Sequence, residues 1–141
     1  MNRRRQKKLT RRLVAAAMLG DVAGAGALLR AGASPELPDA DGTTPLYAAA
    51  VNGEAGAVRL LLAAGAPPDA ESGRGSEGTP LCGAACWGHT ETVRALLDGG
   101  ADPQLREDGG TGHSPLRWAL AGGYDETAAV LRAAGAEEAA G

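Results

Sequence analysis

The fold is decided by residues 79–102, which read TPLCGAACWGHTETVRALLDGGAD. Thr79 followed by Pro80 is typical of a helix start, because the hydroxyl caps free N–H groups and proline lacks a donor that would be left unpaired there. Gly88 ends this helix, since glycine adopts a left-handed turn without a Cβ clash. A second helix follows and ends at Gly100. The segment therefore predicts a helix, a turn and a second helix.

The same unit recurs four times along the chain. Its marker is a pair of glycines twelve residues apart, and successive pairs are separated by 33, 35 and 35 residues. The pairs are Gly20/Gly32, Gly53/Gly65, Gly88/Gly100 and Gly123/Gly135. A period in this range is typical of stacked supersecondary units that share one continuous core. Such stacks usually bind other molecules rather than transform them.

This pattern resembles the ankyrin repeat, whose sequence is roughly G-x-T-P-L-H-x-A-A-x-x-G-H-x-E-x-V-x-L-L-L-x-x-G-A-D. The third unit matches it at Thr79-Pro80-Leu81, Ala84-Ala85, Gly88-His89, Glu91, Val93, Leu96-Leu97 and Gly100-Ala101-Asp102. The resemblance covers about residues 9–137 and implies an all-α, ankyrin-type solenoid of helix-turn-helix repeats joined by hairpin-like loops. Arg11-Arg12-Leu13 replaces the first Thr-Pro-Leu, and Glu137-Glu138 closes the last unit. Both departures suit capping repeats.

The predicted organisation is a basic arm at residues 1–8, an ankyrin domain at 9–137 and a short tail at 138–141. The repeats are expected at about 9–39, 40–74, 75–109 and 110–137. The chain has no Phe and only 3% aromatic residues, so its core must be built from Leu, Val and Ala. The Ala, Gly and Arg bias is typical of a high-GC bacterial genome.

Charge is divided unevenly between the start of the chain and the rest. Residues 1–12 carry seven Lys or Arg and no acid, whereas residues 13–141 carry a formal charge of −10. The basic residues are Arg3, Arg4, Arg5, Lys7, Lys8, Arg11 and Arg12. Such a run is typical of a solvated extension, of a contact with nucleic acid or anionic membrane, or of a protein contact. We favour the solvated extension.

The basic run also imitates an export signal, with Thr10-Arg11-Arg12-Leu13-Val14 resembling a twin-arginine start. Asp21 interrupts the apolar run that follows, and residues 13–32 fit the repeat register. No stretch has the length of a membrane span. We therefore expect a cytoplasmic protein.

Candidate chemistry is sparse, and we predict neither an enzyme nor a cofactor. Residues 73–78 match G-x-G-x-x-G but do not follow an apolar strand, as a dinucleotide site requires. Cys82, Cys86, His89 and His113 lack the spacing of a zinc finger or ribbon, so a metal or redox role is a minor alternative. Cys82 and Cys86 are expected to be free thiols, with Cys86 the more exposed.

The resemblance instead implies a binding surface formed by the first helices of each unit and the tips of the connecting loops. In ankyrin proteins, the positions seven and eight residues after the Thr typically point into a concave groove. The corresponding residues are Met18 and Leu19, Val51 and Asn52, Cys86 and Trp87, and Ala121 and Gly122. Trp87 is the strongest candidate, because tryptophan is enriched in interface hot spots. Trp118 is expected to fill the core between repeats.

The loops between units, which we call fingers, occupy residues 32–44, 65–79 and 100–114. The second and third fingers are each two residues longer than the first. These tips supply Arg74, Glu77, Arg106 and His113 as possible contacts, although insertions in surface loops are also well tolerated. The favoured hypothesis is a monomeric, non-enzymatic protein that binds a partner protein through Met18, Val51, Asn52, Arg74, Cys86, Trp87 and His113.

Overall fold

The computed structural model describes residues 2–138. Within these residues the chain forms nine α-helices and no extended strand. In chain order they are α1 (Arg3–Leu19), α2 (Val22–Arg30), α3 (Pro45–Val51), α4 (Ala55–Ala63), α5 (Pro80–Cys86), α6 (Thr90–Asp98), α7 (Glu107–Gly110), α8 (Pro115–Ala121) and α9 (Asp125–Ala133). Four consecutive pairs, α1/α2, α3/α4, α5/α6 and α8/α9, form a helical solenoid. The fold predicted from the glycine spacing is confirmed.

The inner helices α3, α5 and α8 begin as the sequence predicts. Thr44, Thr79 and Ser114 accept hydrogen bonds from the backbone N–H three residues later, and a proline follows each cap. The inner helices contact one another in the order α1, α3, α5, α8, while the outer helices α2, α4, α6 and α9 form a second row. Each helix pair therefore packs mainly on its neighbours, as in other repeat stacks.

The core runs as one cluster through all four helix pairs. Its largest fully buried side chains are leucines: Leu13, Leu81 and Leu116 on the inner helices, and Leu61, Leu96 and Leu131 at equivalent positions of the outer helices. Alanines such as Ala49, Ala84 and Ala119 are also fully buried and allow the inner helices to approach closely. The predicted core of Leu, Val and Ala is confirmed.

The first helix is longer than the other inner helices, with 17 residues against seven. Residues 3–8, which the sequence assigns to a basic arm, form its first turns and continue directly into the first repeat. Leu9, Leu13 and Val14 anchor the same helix in the core. None of the helices in residues 2–138 combines the length and the hydropathy of a transmembrane span.

The two extended fingers fold into short, irregular turns. In the second finger a 3-10 turn spans Gly73–Gly75, and Ser72 and Gly78 form an isolated antiparallel bridge around it. In the third finger α7 fills the equivalent position. Arg74 and Asp108 adopt left-handed backbone conformations, with φ of 56° and 55°. These turns bring the finger tips toward the inner helices.

Candidate binding groove

A groove of about 350 Å³ lies between three inner helices and the two extended fingers. Helix α3 contributes Tyr47 and Val51, α5 contributes Cys82, Cys86 and Trp87 at its end, and α8 contributes Trp118. The fingers contribute Glu77, Glu107 and Asp108. We refer to this cavity and its lining residues as the groove.

Trp87 is the most exposed aromatic side chain of the groove, at 59% of its full accessibility. It follows the last residue of α5 and precedes Gly88, whose φ is 70°. The helix therefore ends at Trp87, which does not lie under a neighbouring finger. A large exposed tryptophan beside a cavity is a typical anchor point for a protein partner.

Trp118 has a double role that the sequence prediction did not anticipate. Its ring packs against the core and is half-buried, as expected for a residue between repeats. It also lines the groove, where its Nε1 donates a hydrogen bond of 2.9 Å to Glu107 Oε1. The ring of His113 meets it edge-on, with centroids 5.1 Å apart. Trp118 therefore connects the third finger to the core.

The two groove glutamates are held in place by hydrogen bonds. Glu77 Oε1 accepts from Thr43 Oγ1 at 2.9 Å and from Ser72 Oγ at 2.8 Å. Glu107 Oε1 accepts from Trp118, as described above. Both carboxylates are consequently oriented before any ligand is present, which reduces the entropy lost on binding.

Burial raises the pKa of several groups in this region. The pKa of Tyr47 rises to about 12, mainly through desolvation and further through the negative charges of Glu77 and Glu107. Desolvation also raises the pKa of Glu107, against the opposing effect of its hydrogen bond from Trp118. The pKa of Cys86 is raised by burial and by the charge of Glu107. The carboxylates of Glu77 and Glu107 thus lie close enough to Tyr47 to disfavour its ionisation further.

Of the residues predicted to bind a partner, Val51, Cys86 and Trp87 line the groove together. Asn52 is exposed and donates to the Ala48 carbonyl, and Met18 is 46% exposed on α1; neither lines this cavity. Arg74 reaches the preceding finger, where its Nη2 donates to the Ala40 carbonyl. The backbone carbonyl of His113 accepts a hydrogen bond from Cys82 Sγ. His113 itself is exposed.

Sequence reasoning missed Tyr47 and Glu107. Tyr47 lies four residues before Val51, so the two share a helix face, and that spacing was visible in the sequence. Glu107 reaches the groove only because the third finger folds back on itself. The backbone N–H of Glu107 donates to the His113 carbonyl in this turn. No local sequence pattern marks that geometry.

The two cysteines are free thiols, and Cys86 is the more exposed, as predicted. Among residues 2–138, no group of three or more His, Cys, Asp or Glu side chains is arranged to hold a metal ion.

The comparison with known families agrees with the architecture. The family model described as ankyrin repeats (3 copies) matches residues 13–107 and again residues 67–139. The chain belongs to the ankyrin repeat family. Ankyrin repeats are generally protein–protein interaction modules, and the family is typically non-enzymatic. Among curated proteins, none matches the chain in sequence.

Proposed function

We propose that the protein is a non-enzymatic interaction module that binds a partner protein through the groove beside Trp87. The observation that carries this proposal is the exposed Trp87 ring beside a cavity that also contains Tyr47 and Trp118. Aromatic anchors next to a preformed pocket are the usual source of binding energy in protein interfaces. The side chains of Val51 and Cys86 extend this apolar surface along the inner helices.

A comparison of wild type with Trp87→Ala tests this proposal. Affinity capture from the native lysate, followed by mass spectrometry, should retain partner proteins with the wild type and lose them with the variant. Val22→Ala is a matched control, because Val22 is also an exposed apolar residue, at 43%, but lies at the start of α2, outside both the groove and the cleft beside the basic residues of α1. Equal retention by wild type and Trp87→Ala would exclude this groove as the binding site.

The basic start of α1 supports a second candidate function, contact with nucleic acid or another anionic surface. Arg3, Lys7 and Arg11 recur at four-residue spacing and share one helix face with Arg4 and Lys8. These five residues line a cleft with the first finger, and the described part of the chain places none of them in an ion pair. An unpaired basic face favours anionic partners.

This candidate function is best tested by neutralising basic side chains of α1 rather than by deleting residues 1–12. Removing residues 1–12 would also remove Leu9 and Thr10, which are 7% and 3% exposed. Replacing Arg3, Arg4, Lys7 and Lys8 with Gln keeps the helix and removes four charges. Binding to a labelled duplex RNA or DNA should then weaken and lose most of its salt dependence. Unchanged binding, or no binding by wild type at low salt, would reject the candidate.

A further inference from the structure

The groove combines aromatic rings with carboxylates. Tyr47, Trp87 and Trp118 form its aromatic surface, and Glu77, Glu107 and Asp108 supply the negative charge. Among the described residues that line it, none is Lys, Arg or His. At about 350 Å³ the cavity is near the small end of the usual range for ligand pockets, roughly 300–1,000 Å³. That size suits an inserted side chain.

The carboxylates of the groove have no cationic partner within residues 2–138. The ion pairs there join Arg94 to Glu91 and Glu126, and Arg132 to Glu138, all outside the groove. The arginines of the two extended fingers are engaged elsewhere, since Arg74 donates to the Ala40 carbonyl and Arg106 Nε donates to the Gly112 carbonyl. Among the described residues, the groove carboxylates therefore have no arginine or lysine partner.

We propose that the groove binds an arginine side chain presented by a basic segment of a partner protein; this rests on the proposed function. A guanidinium group stacks on the faces of tryptophan and tyrosine rings, and it forms charge-assisted hydrogen bonds to carboxylates. It is also more weakly hydrated than an ammonium group, so it enters a partly buried site at lower cost. The oriented carboxylates of Glu77 and Glu107 complement that chemistry.

Two isosteric substitutions isolate the effect of the carboxylate charge on binding. In Glu107→Gln the amide oxygen still accepts from Trp118 Nε1, and in Glu77→Gln it still accepts from Thr43 and Ser72. Glu126→Gln is the matched control, because it removes the same charge from α9, where the side chain is 76% exposed. Thermal melts followed by circular dichroism should show all three variants folded.

The probe is a dye-labelled, arginine-containing peptide, compared by fluorescence polarisation with a counterpart in which glutamine replaces arginine. Wild type and Glu126→Gln should bind the arginine peptide alike, and the glutamine peptide should bind more weakly. Glu107→Gln and Glu77→Gln should each weaken arginine-peptide binding by roughly tenfold, as expected for loss of a charge-assisted contact. Equal binding by the groove variants and Glu126→Gln would overturn the proposal.

Three further outcomes separate the arginine-site proposal from the broader proposal that the groove binds a partner protein. If captured partner proteins depend on Trp87 but not on Glu77 and Glu107, the groove function stands and the arginine site is rejected. If sedimentation shows a dimer that dissociates in the Glu77→Gln/Glu107→Gln double variant, the occupant is α1 of a second copy, and the partner-protein proposal is overturned. If capture is independent of Trp87, the groove function itself fails.

Discussion

Cys82 and Cys86 lie on successive turns of α5 and differ in their contact with solvent. Cys82 is 2% exposed, and its Sγ donates to the carbonyl of His113 in the third finger. Burial raises the pKa of the Cys82 thiol to about 12. Cys86 is half-buried and lines the groove beside Trp87. Since the thiolate is the reactive form, access and pKa together determine which cysteine reacts.

We predict that a thiol reagent such as DTNB labels one cysteine of the native protein at pH ~8, and that this cysteine is Cys86. A thiol with a pKa of about 12 is ionised at that pH in only roughly one molecule in 10⁴, so Cys82 should react only after unfolding. Cys86→Ala should abolish native labelling, and Cys82→Ala should leave it intact. Rapid native labelling of both thiols would mean that α5 and the third finger separate readily.

At the scale of the helices, the glycine after each of the inner helices α1, α3 and α5 is a contact point between adjacent repeats. Each of these glycines is contacted by a side chain of the next repeat, from the residue directly after that repeat's own glycine. Glu54 contacts Gly20, His89 contacts Gly53 and Tyr124 contacts Gly88. A Cβ added to Gly53 would lie 2.8 Å from His89 Nδ1, and His89 Nε2 is 3.1 Å from the Val51 carbonyl. These glycines therefore provide space for the next repeat in addition to a left-handed turn.

Gly88→Ala and Gly123→Ala form a matched pair that separates these two effects. Their φ values are nearly equal, 70° and 74°, but an added Cβ would overlap the Tyr124 ring at Gly88 and meet nothing within 4 Å at Gly123. Gly123→Ala should cost roughly 1–2 kcal/mol for the left-handed backbone alone. Gly88→Ala should cost about 1–3 kcal/mol more, because the helix pairs must separate to admit the methyl group.

Urea unfolding followed by circular dichroism measures this difference directly. As a further check, Tyr124→Ala in the Gly88→Ala background should recover part of the loss, since it removes the overlapping ring. Equal destabilisation by the two alanine variants would show that Tyr124 moves aside at no cost.

Short-range sequence signals predict the helix boundaries of this fold, but they do not predict all of the groove. Caps and glycines determine where helices start and end through interactions within a few residues. The sequence therefore correctly predicts the helix starts at Thr44 and Thr79 and the helix end before Gly88. The groove positions Val51 and Cys86 follow from the resemblance to the ankyrin repeat, in which the residue seven positions after the capping Thr typically points into the groove. Glu107 and Trp118 do not, because their hydrogen bond depends on a finger that turns through a left-handed Asp108. Such a conformation is rare for a non-glycine residue and has no repeat signature.

At the scale of the whole molecule, stability depends on interfaces between neighbouring helix pairs. The core is continuous, but contacts in each row of helices join consecutive pairs, with α6 packed between α4 and α9. A residue in one of the two middle repeats therefore supports two interfaces with neighbouring repeats, whereas the equivalent residue in a terminal repeat supports one. In such a stack the total stability is approximately a sum over repeats and nearest-neighbour interfaces.

Leu96 and Leu131 test that description, since both are fully buried and occupy equivalent positions of α6 and α9. Truncation of either leucine to alanine should cost about 2–5 kcal/mol locally. Leu96→Ala weakens the third repeat and thereby its packing against both neighbours, so amide exchange should accelerate throughout the stack. Leu131→Ala weakens only the last pair, so faster exchange should be confined mainly to α8 and α9, with a lower urea m-value if the first three pairs remain folded. Uniform acceleration by both variants would instead show that the four pairs unfold as one cooperative unit.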